Sequence, residues 1–315
     1  MPEPLRVAVI GAGAIATAIH LPTLLALPDV TVSGILSRTP ERAAAVARRF
    51  GIERVYDHLG AVTRDEADGA LVLSPKETHA DISIQLMRQG VDVFCEKPMA
   101  TRLADAGRML EASRATGRTL MVGFNRRYAP CYVRAREHFQ AARPDVAVAE
   151  KHRPGTEYRA TLENAIHMVD LLRWFCGEAV AVDAAAQFTD PYHETSCTAH
   201  LRFDGGAIGV LVANRSAGQW VERLALYGGG RTVQVEAPEH TTVLYPDREE
   251  RVASTPLAMG WATVQDRFGF QAEVVHFVEC LREGRPPRTS AEDAYRTHEL
   301  MDRILRAAGL PAMDT

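Results

Sequence analysis

Two ionisable side chains, Lys97 and His167, have the chemical types that a site for proton transfer and charge stabilisation needs. Residues 91–98 read Val-Asp-Val-Phe-Cys-Glu-Lys-Pro, an apolar run that ends in an acid, a base and a proline. Pro98 disfavours helical geometry in the residue before it, so Lys97 is predicted to be extended at a strand end. An open α/β sheet binds its ligand outside the carboxyl ends of its strands, which is where the amine would lie. A salt-bridged strand end is the alternative.

A second candidate group lies in the apolar segment 161–177, which has the spacing of a helix. Glu163, His167 and Asp170 stand at i, i+4 and i+7, and they would share one face of that helix. Histidine is the usual general acid or base near neutral pH, and an adjacent carboxylate can orient it or raise its pKa. A solvated face with incidental ion pairs explains these residues equally well. The segment has no second histidine at ligand spacing, so no metal site is predicted.

A glycine-rich turn between a predicted strand and a predicted helix indicates a dinucleotide site. Residues 11–16 read Gly-Ala-Gly-Ala-Ile-Ala and follow directly on the apolar run 5–10. Gly11 permits a tight turn, Gly13 lets the backbone approach a pyrophosphate, and the phosphates bind at the helix N-terminus. An ordinary glycine-rich turn is the alternative, which the strand-before and helix-after context disfavours.

The end of the second predicted strand, residues 30–36, should select the cofactor. An acid there binds the ribose 2′-hydroxyl of NAD. This chain has Ser37-Arg38 instead, and a hydroxyl with a guanidinium suits a 2′-phosphate. The sequence therefore predicts NADP(H) in preference to NAD(H), with a solvated Arg38 as the alternative.

Strands alternate with helices in the first part of the chain and predominate in the second. The pattern predicts α/β plus α+β: a Rossmann, doubly wound parallel sheet over residues 1–122, then a domain on an open, mainly antiparallel sheet over 123–315. The C-terminal helix could pack back on the first domain. The length of 315 residues is ample for two domains.

Charge and composition exclude several classes of function. A net charge of −4 gives no general attraction to nucleic acid or to an anionic membrane. We find neither a signal-peptide pattern nor an apolar run of membrane-spanning length. Five widely spaced cysteines without a CxxC pair indicate a reduced, cytoplasmic protein that has no zinc site.

These motifs, in this order, resemble the Gfo/Idh/MocA oxidoreductase family, the group of glucose-fructose oxidoreductase and inositol dehydrogenase. The resemblance spans nearly the whole chain, and Glu96-Lys97-Pro98 is its most specific part. The other matching pieces are the glycine loop, His20, Ser74-Pro75-Lys76-Glu77-Thr78-His79 and the helix around His167. Residues 123–130, Lys151-His152-Arg153 and Gly260-Trp261 look most like the MviM-type branch, whose usual label as a virulence factor carries no chemistry.

The resemblance implies an active site between two domains, with sugars, cyclitols or related polyols as substrates. It also implies homodimers or homotetramers that form through the open sheet. The catalytic residues that the resemblance implies are Lys97, His167 and Glu163. Lys97 and His167 match the family's catalytic lysine and histidine, and Glu163 stands where the family usually has aspartate. Residues expected to bind the cofactor are Gly11, Gly13, Ala14, Ile15, Ser37, Arg38, Ser74, Pro75, His79, Glu96 and Lys97. Candidates for the substrate side are Arg126, Arg127, Tyr128, Lys151 and Asp170, for which surface positions are an equally good explanation.

The implied mechanism exchanges a hydride between the nicotinamide C4 and a carbinol carbon or ketone. His167 takes or gives the hydroxyl proton, and Lys97 stabilises charge on the same oxygen. Glu163 or Asp170 orients the histidine. A protein of another class, a regulator that senses the dinucleotide without turnover, also fits, because Glu163 and Ala165 both depart from the family pattern.

Overall fold

The computed structural model describes residues 3–155, 159–188, 194–253 and 262–313. The chain forms two compact units, each made of two segments. The first unit contains Met1–Phe124 and Phe270–Arg296, and the second contains Asn125–Gly269 and Thr297–Thr315. The sequence pattern placed one boundary after residue 122. In the structure the chain returns to the first unit near its C-terminal end.

The first unit is built on a sheet whose five strands are all parallel, in the order β2-β1-β3-β4-β5. Its strands are β1 Leu5–Ile10, β2 Val30–Leu36, β3 Gly69–Val72, β4 Asp92–Glu96 and β5 Leu120–Gly123. Strands β3 and β5 are buried along their whole length, as expected when helices cover both faces. The strand order reverses between β1 and β3, where doubly wound sheets bind their ligands.

Helices alternate with the strands of the first unit, as the sequence predicts, and further helices occur later in the chain. They are α1 Leu21–Leu25, α2 Pro40–Phe50, α3 His79–Arg88, α4 Leu103–Thr116, α5 Pro130–Glu137, α6 Ile166–Cys176, α7 Val264–Arg267, α8 Phe270–Glu283 and α9 Ala291–Ala307. Two of them begin differently from the prediction: the π-helical turn Ala160–Ala165 precedes α6, and Ala16–His20 precedes α1. None of the described helices is long and apolar enough to cross a membrane.

The second unit contains an eight-stranded sheet in the order β13-β12-β11-β10-β6-β9-β8-β7. Its strands are β6 Val146–His152, β7 Ala179–Phe188, β8 Glu194–Phe203, β9 Ile208–Asn214, β10 Val221–Gly228, β11 Arg231–Glu236, β12 His240–Leu244 and β13 Glu249–Ala253. All pairs are antiparallel except β6 with β9, which are parallel. Strand β6 is not joined to either of its neighbours, β9 and β10, by a hairpin. The predicted fold class is confirmed.

One face of this sheet is packed and the other is open. Helix α6 packs on β6 and β9, and inward residues such as Leu211 and Leu226 are buried. On the other face Ile208 and Tyr227 both pair with Val146, so their exposed side chains are neighbours. An exposed pair of large apolar side chains on a sheet face is suited to covering by a partner.

Candidate active site

The turn after β1 contains two glycines that are needed for different reasons. Gly11 has a φ of +122°, and a Cβ there would lie 2.6 Å from the carbonyl carbon and oxygen of Leu73. A side chain would be strained and would meet backbone, so only glycine fits. A Cβ on Gly13 would meet nothing within 4 Å, which leaves open space for an approaching ligand. Both observations agree with the predicted roles of the two glycines at a pyrophosphate.

A cavity of about 600 Å³ lies beside this turn and reaches the end of β2. The predicted cofactor residues that line it are Gly11, Gly13, Ser37, Arg38, Ser74 and Pro75. Arg42 and Asp57 line it as well, and the sequence analysis did not identify them. A glycine turn at one end and a hydroxyl with two guanidiniums at the other end fit a dinucleotide.

A second cavity, of about 440 Å³, adjoins the first at the ends of β3 and β4. Lys97 lines it, as do the predicted cofactor residues Ile15, His79 and Glu96. Leu73, Ser74 and Pro75 line both cavities, so the lysine stands next to the dinucleotide site. Ala14 lines neither cavity.

Glu96 fixes the strand end that carries Lys97. His20 Nε2 lies 2.8 Å from Glu96 Oε1, and the Lys97 backbone N–H donates to Glu96 Oε2 at 3.0 Å. Burial opposes ionisation of Glu96, but the hydrogen bond and charge of His20, together with Lys97, hold the pKa of this carboxyl below its usual value. Glu273 of α8 joins the cluster, because its carboxylate lies within 4.8 Å of the ligand-type atoms of His20 and Glu96.

His167 lies in the second unit, buried in the first turn of α6. Glu163 lies in the preceding π-helical turn, where its Oε1 accepts a hydrogen bond from the Arg159 backbone N–H at 3.2 Å. A π-helical turn bonds i to i+5 and is wider than an α-helical one. The spacing from which a shared face was predicted therefore holds only from Ile166 onward.

Asp170 is fully buried and forms a bidentate pair with Arg127. Arg127 Nε and Nη2 donate to its two carboxylate oxygens at 2.7 and 2.6 Å. Thr297 Oγ1 donates to Asp170 Oδ1 at 3.1 Å, and Arg173 Nη1 donates to Thr297 Oγ1 at 2.7 Å. The pair thus ties α6 to the short turn Asn125–Tyr128.

Glu222 of β10 collects three donors in the interior of the second unit. Arg126 Nε and Nη2 donate to its two oxygens at 2.8 and 2.9 Å, and the Tyr132 hydroxyl donates to Oε1 at 2.9 Å. The Lys151 ammonium forms an ion pair with Oε2. Two rings cover the cations: Arg126 lies 4.7 Å from the Phe268 ring centre, and Lys151 lies 5.6 Å from that of Trp220.

The charges in this cluster stabilise one another. Burial alone would raise the pKa of Glu222, but Arg126 and Lys151 bring it far below its usual value, so the carboxylate is ionised. Burial and the charge of Glu222 raise the pKa of Tyr132 well above its usual value, which keeps the hydroxyl a donor. The sequence could not decide between substrate contact and surface exposure for five residues. All five are buried, so surface exposure is wrong, and substrate contact stays a prediction: Arg126, Arg127, Tyr128, Lys151 and Asp170.

Comparisons with known proteins decide the family. A model of an oxidoreductase family with an NAD-binding Rossmann fold, Gfo/Idh/MocA, matches residues 5–124, and a model of the Gfo/Idh/MocA C-terminal domain matches residues 131–234. Inositol 2-dehydrogenase of Paracoccus denitrificans is 30% identical over 310 residues, covering 92% of this chain and 90% of that protein. The chain belongs to the Gfo/Idh/MocA family.

Further comparisons agree with this assignment. Myo-inositol 2-dehydrogenase of Thermotoga maritima is 26% identical over 309 residues, with 92% of each chain covered. A dehydrogenase (MviM) from Clostridium difficile has the same fold, with a TM-score of 0.87 at 21% identity over 97% of this chain and 100% of that chain. The predicted family is confirmed, and this Gfo/Idh/MocA protein is an oxidoreductase with an NAD-binding Rossmann fold.

Two buried acids of this Gfo/Idh/MocA protein were not predicted from the sequence. Glu222 shares a strand face with Leu224 and Leu226, so an acid interrupting an apolar alternation was the signal available. Glu273 lies in an apolar helix far along the chain from His20, and we see no local signal for their proximity. The Gly260-Trp261 pair lies outside the described residues.

Proposed function

We propose that this protein is an NAD(P)-dependent dehydrogenase that transfers a hydride between the nicotinamide and a carbinol carbon or ketone of a sugar, cyclitol or related polyol. The observation that carries the proposal is the position of Lys97, which follows β4 and lines a cavity that shares three residues with the dinucleotide cavity. The two relatives named as inositol 2-dehydrogenases support the substrate class.

The side chains have separate roles in this proposal. The nicotinamide, when bound, supplies the hydride acceptor or donor. Lys97 donates a hydrogen bond to the substrate oxygen and stabilises negative charge as it develops there. His167 takes or gives the hydroxyl proton. Glu163 shapes the turn before His167 through its bond to the Arg159 backbone, and Glu96 holds the Lys97 backbone.

For the cofactor we propose NADP(H) in preference to NAD(H). Ser37, Arg38 and Arg42 line one end of the dinucleotide cavity, and both guanidiniums are exposed to solvent. Within the described part of the chain, neither guanidinium forms an ion pair. Asp57 is the opposing charge at that cavity, so two cations face one carboxylate. The excess of positive charge favours a 2′-phosphate over a 2′-hydroxyl.

For the assembly we propose a homodimer or homotetramer that forms through the open face of the eight-stranded sheet. Large apolar side chains are exposed there on the two strands that flank β6: Ile208 of β9 and Tyr227 of β10. Burying such side chains against a second copy would be favourable.

A substrate screen tests the proposed reaction. Inositols, aldoses, sugar acids and the matching keto-sugars would be incubated with NADP⁺ or NADPH, and in parallel with NAD⁺ or NADH, while absorbance of the reduced nicotinamide is followed. We expect turnover of at least one compound. Tight cofactor binding with no turnover of any compound would contradict the proposal and would favour a dinucleotide-sensing regulator.

A further inference from the structure

His79 is buried at the first residue of α3 and lies between two loops of the first unit. Its Nδ1 is 2.9 Å from the backbone oxygen of Pro98, directly after Lys97. Its Nε2 is 3.0 Å from the backbone oxygen of Ser74, in the loop after β3. Both partners are carbonyl oxygens, which only accept hydrogen bonds.

The two acceptors determine the protonation state of the ring. A neutral imidazole has one N–H donor and one bare nitrogen, so it would turn a lone pair towards one of the two carbonyls. An imidazolium has two donors and satisfies both. We infer that His79 is an imidazolium that ties the Ser74 loop to the Lys97-Pro98 segment and thereby positions Lys97 beside the dinucleotide cavity.

Some of the surroundings of the ring raise the pKa of His79 and others lower it. Burial disfavours a cation, and so does the helix N-terminus at which His79 stands. The charged ring is favoured by the Cys95 side chain of β4, beside the ring, and by the carbonyls of Pro98 and Ser74. Together they outweigh the effect of burial on the pKa and raise the pKa of His79 to about 9. The charged groups that line the adjoining cavity are two acids and two bases: Glu77, Glu96, Lys76 and Lys97.

The inference gives His79 a role that rests on the proposed function of Lys97. Glu96 Oε2 holds the Lys97 N–H on one side, and His79 holds the carbonyl of the next residue, Pro98, on the other. Ser74, the second acceptor, lines both cavities. His79 is therefore a positioning residue, and loss of its proton would release one of the two loops.

Nuclear magnetic resonance of the full-length protein labelled with ¹⁵N-histidine tests the protonation state without any substrate. Two-bond ¹H–¹⁵N spectra would be recorded from about pH 6 to about pH 10.5, with the His79 signals assigned by their absence in His79→Gln. We expect both ring nitrogens to be protonated at neutral pH and one proton to be lost near pH 9. One protonated and one bare nitrogen at neutral pH would overturn the inference.

A kinetic comparison tests the positioning role. A glutamine amide can donate to only one of the two carbonyls, so His79→Gln should lower kcat by about tenfold or more, since small misplacements of reacting groups are costly. Wild-type kcat should also fall as pH rises through 9, and this fall should be absent in the variant. His138→Gln, in the second unit, should match wild type. A His79→Gln enzyme with wild-type kcat and pH profile would overturn the role.

The two experiments separate this inference from the proposed function. If no polyol is turned over, the reaction proposal fails, and the spectra still decide whether His79 is charged. NADPH affinity then replaces kcat as the readout: it should weaken above pH 9 in wild type and not in His79→Gln. Identical pH profiles of NADPH affinity would overturn the tie between the two loops.

Discussion

At the scale of single residues, buried groups in each unit hold charged side chains or their backbone in place. Arg127 and Arg126 each form a bidentate pair with a buried carboxylate. Lys97 is held through its backbone N–H by Glu96. Hydride transfer needs such fixed geometry, because a misplacement of about 1 Å can cost about a hundredfold in rate. The cofactor end of the site is different, since Arg38 and Arg42 are exposed.

Local motifs predicted those residues whose role depends on the residues next to them in the sequence. Gly11 and Gly13 follow from the strand–turn–helix context, and Lys97 follows from a strand that ends at a proline. Glu222 and Glu273 could not be predicted in the same way, because their partners lie far away along the chain. The pairing of Arg126 with Glu222 depends on how the sheet assembles, which a local pattern does not encode.

Removing the Arg38 guanidinium should change cofactor preference. A charge-assisted contact to phosphate is worth about 1.5–3 kcal/mol, so Arg38→Ala should weaken NADPH binding by about ten- to a hundredfold. NADH binding should change by less than about threefold, because a 2′-hydroxyl makes no such contact. Fluorescence titration measures both affinities. Arg48→Ala, on the exposed side of α2, is the control, and equal losses for NADPH and NADH would contradict the cofactor proposal.

The charge on His79 should appear in the pH dependence of stability. Its folded-state pKa of about 9 exceeds the ordinary value of 6.5, so its contribution is fully present below pH 6.5 and is lost as pH rises through 9. The shift corresponds to at most about 3 kcal/mol. Urea unfolding at neutral pH and near pH 10 should show wild type losing more free energy of unfolding than His79→Gln. Equal losses would mean that His79 is not charged in the folded protein.

At the scale of elements, each unit has its own constraint on the candidate site residues that it carries. The turn between β1 and the first helix is tight because Leu73 backbone faces Gly11. In the second unit, Asp170 ties α6 to the Asn125–Tyr128 turn, and Glu222 ties the same turn to β6 and β10. The alternation of strands and helices in the first unit was predicted from the sequence, whereas the short helices α5 and α7 were not. The π-helical turns before α1 and α6 were not, because a repeat of apolar residues does not distinguish them from α-helix.

The Glu222 cluster should contribute strongly to the stability of the second unit. Glu222→Gln removes the buried carboxylate that pairs with both Arg126 and Lys151, which should cost about 3–5 kcal/mol in free energy of unfolding. Glu250→Gln removes one carboxylate of an exposed pair with Arg248 and should cost less than about 1 kcal/mol. Reversible urea unfolding followed by circular dichroism measures both. Similar losses in free energy of unfolding for the two variants would contradict a strong contribution of the Glu222 cluster to stability.

At the scale of the whole molecule, each unit includes a segment from near the C-terminal end of the chain. Phe270–Arg296 brings Glu273 to His20 in the first unit, and Thr297 brings its hydroxyl to Asp170 in the second. The sequence indicated a parallel and an antiparallel sheet, and both are present. It placed residues 123–315 in the second domain, whereas Phe270–Arg296 belongs to the first unit, because an amphipathic helix shows that it packs but not against what.

The open sheet face should control assembly. Ile208→Glu places a charge among the exposed apolar side chains and should shift an oligomer towards monomer, because burying an unpaired charge is costly. Val264→Glu, at a more exposed apolar position on α7, should leave the oligomer unchanged. Light scattering after size-exclusion chromatography gives the masses. A wild-type monomer, or an unchanged Ile208→Glu oligomer, would contradict assembly through this face.

The most direct test of the proposed role of Lys97 is the rate at which Lys97→Met turns over the polyol that the substrate screen identifies. Removing the donor that stabilises the developing charge should lower kcat by about a hundred- to a thousandfold. NADPH affinity, measured in parallel, separates a loss of catalysis from a loss of cofactor binding, because Lys97 is also among the residues expected to bind the cofactor. Arg48→Met, outside both cavities, is the control for the loss of a cation. A Lys97→Met enzyme with wild-type kcat would contradict the assignment of Lys97 as a catalytic residue.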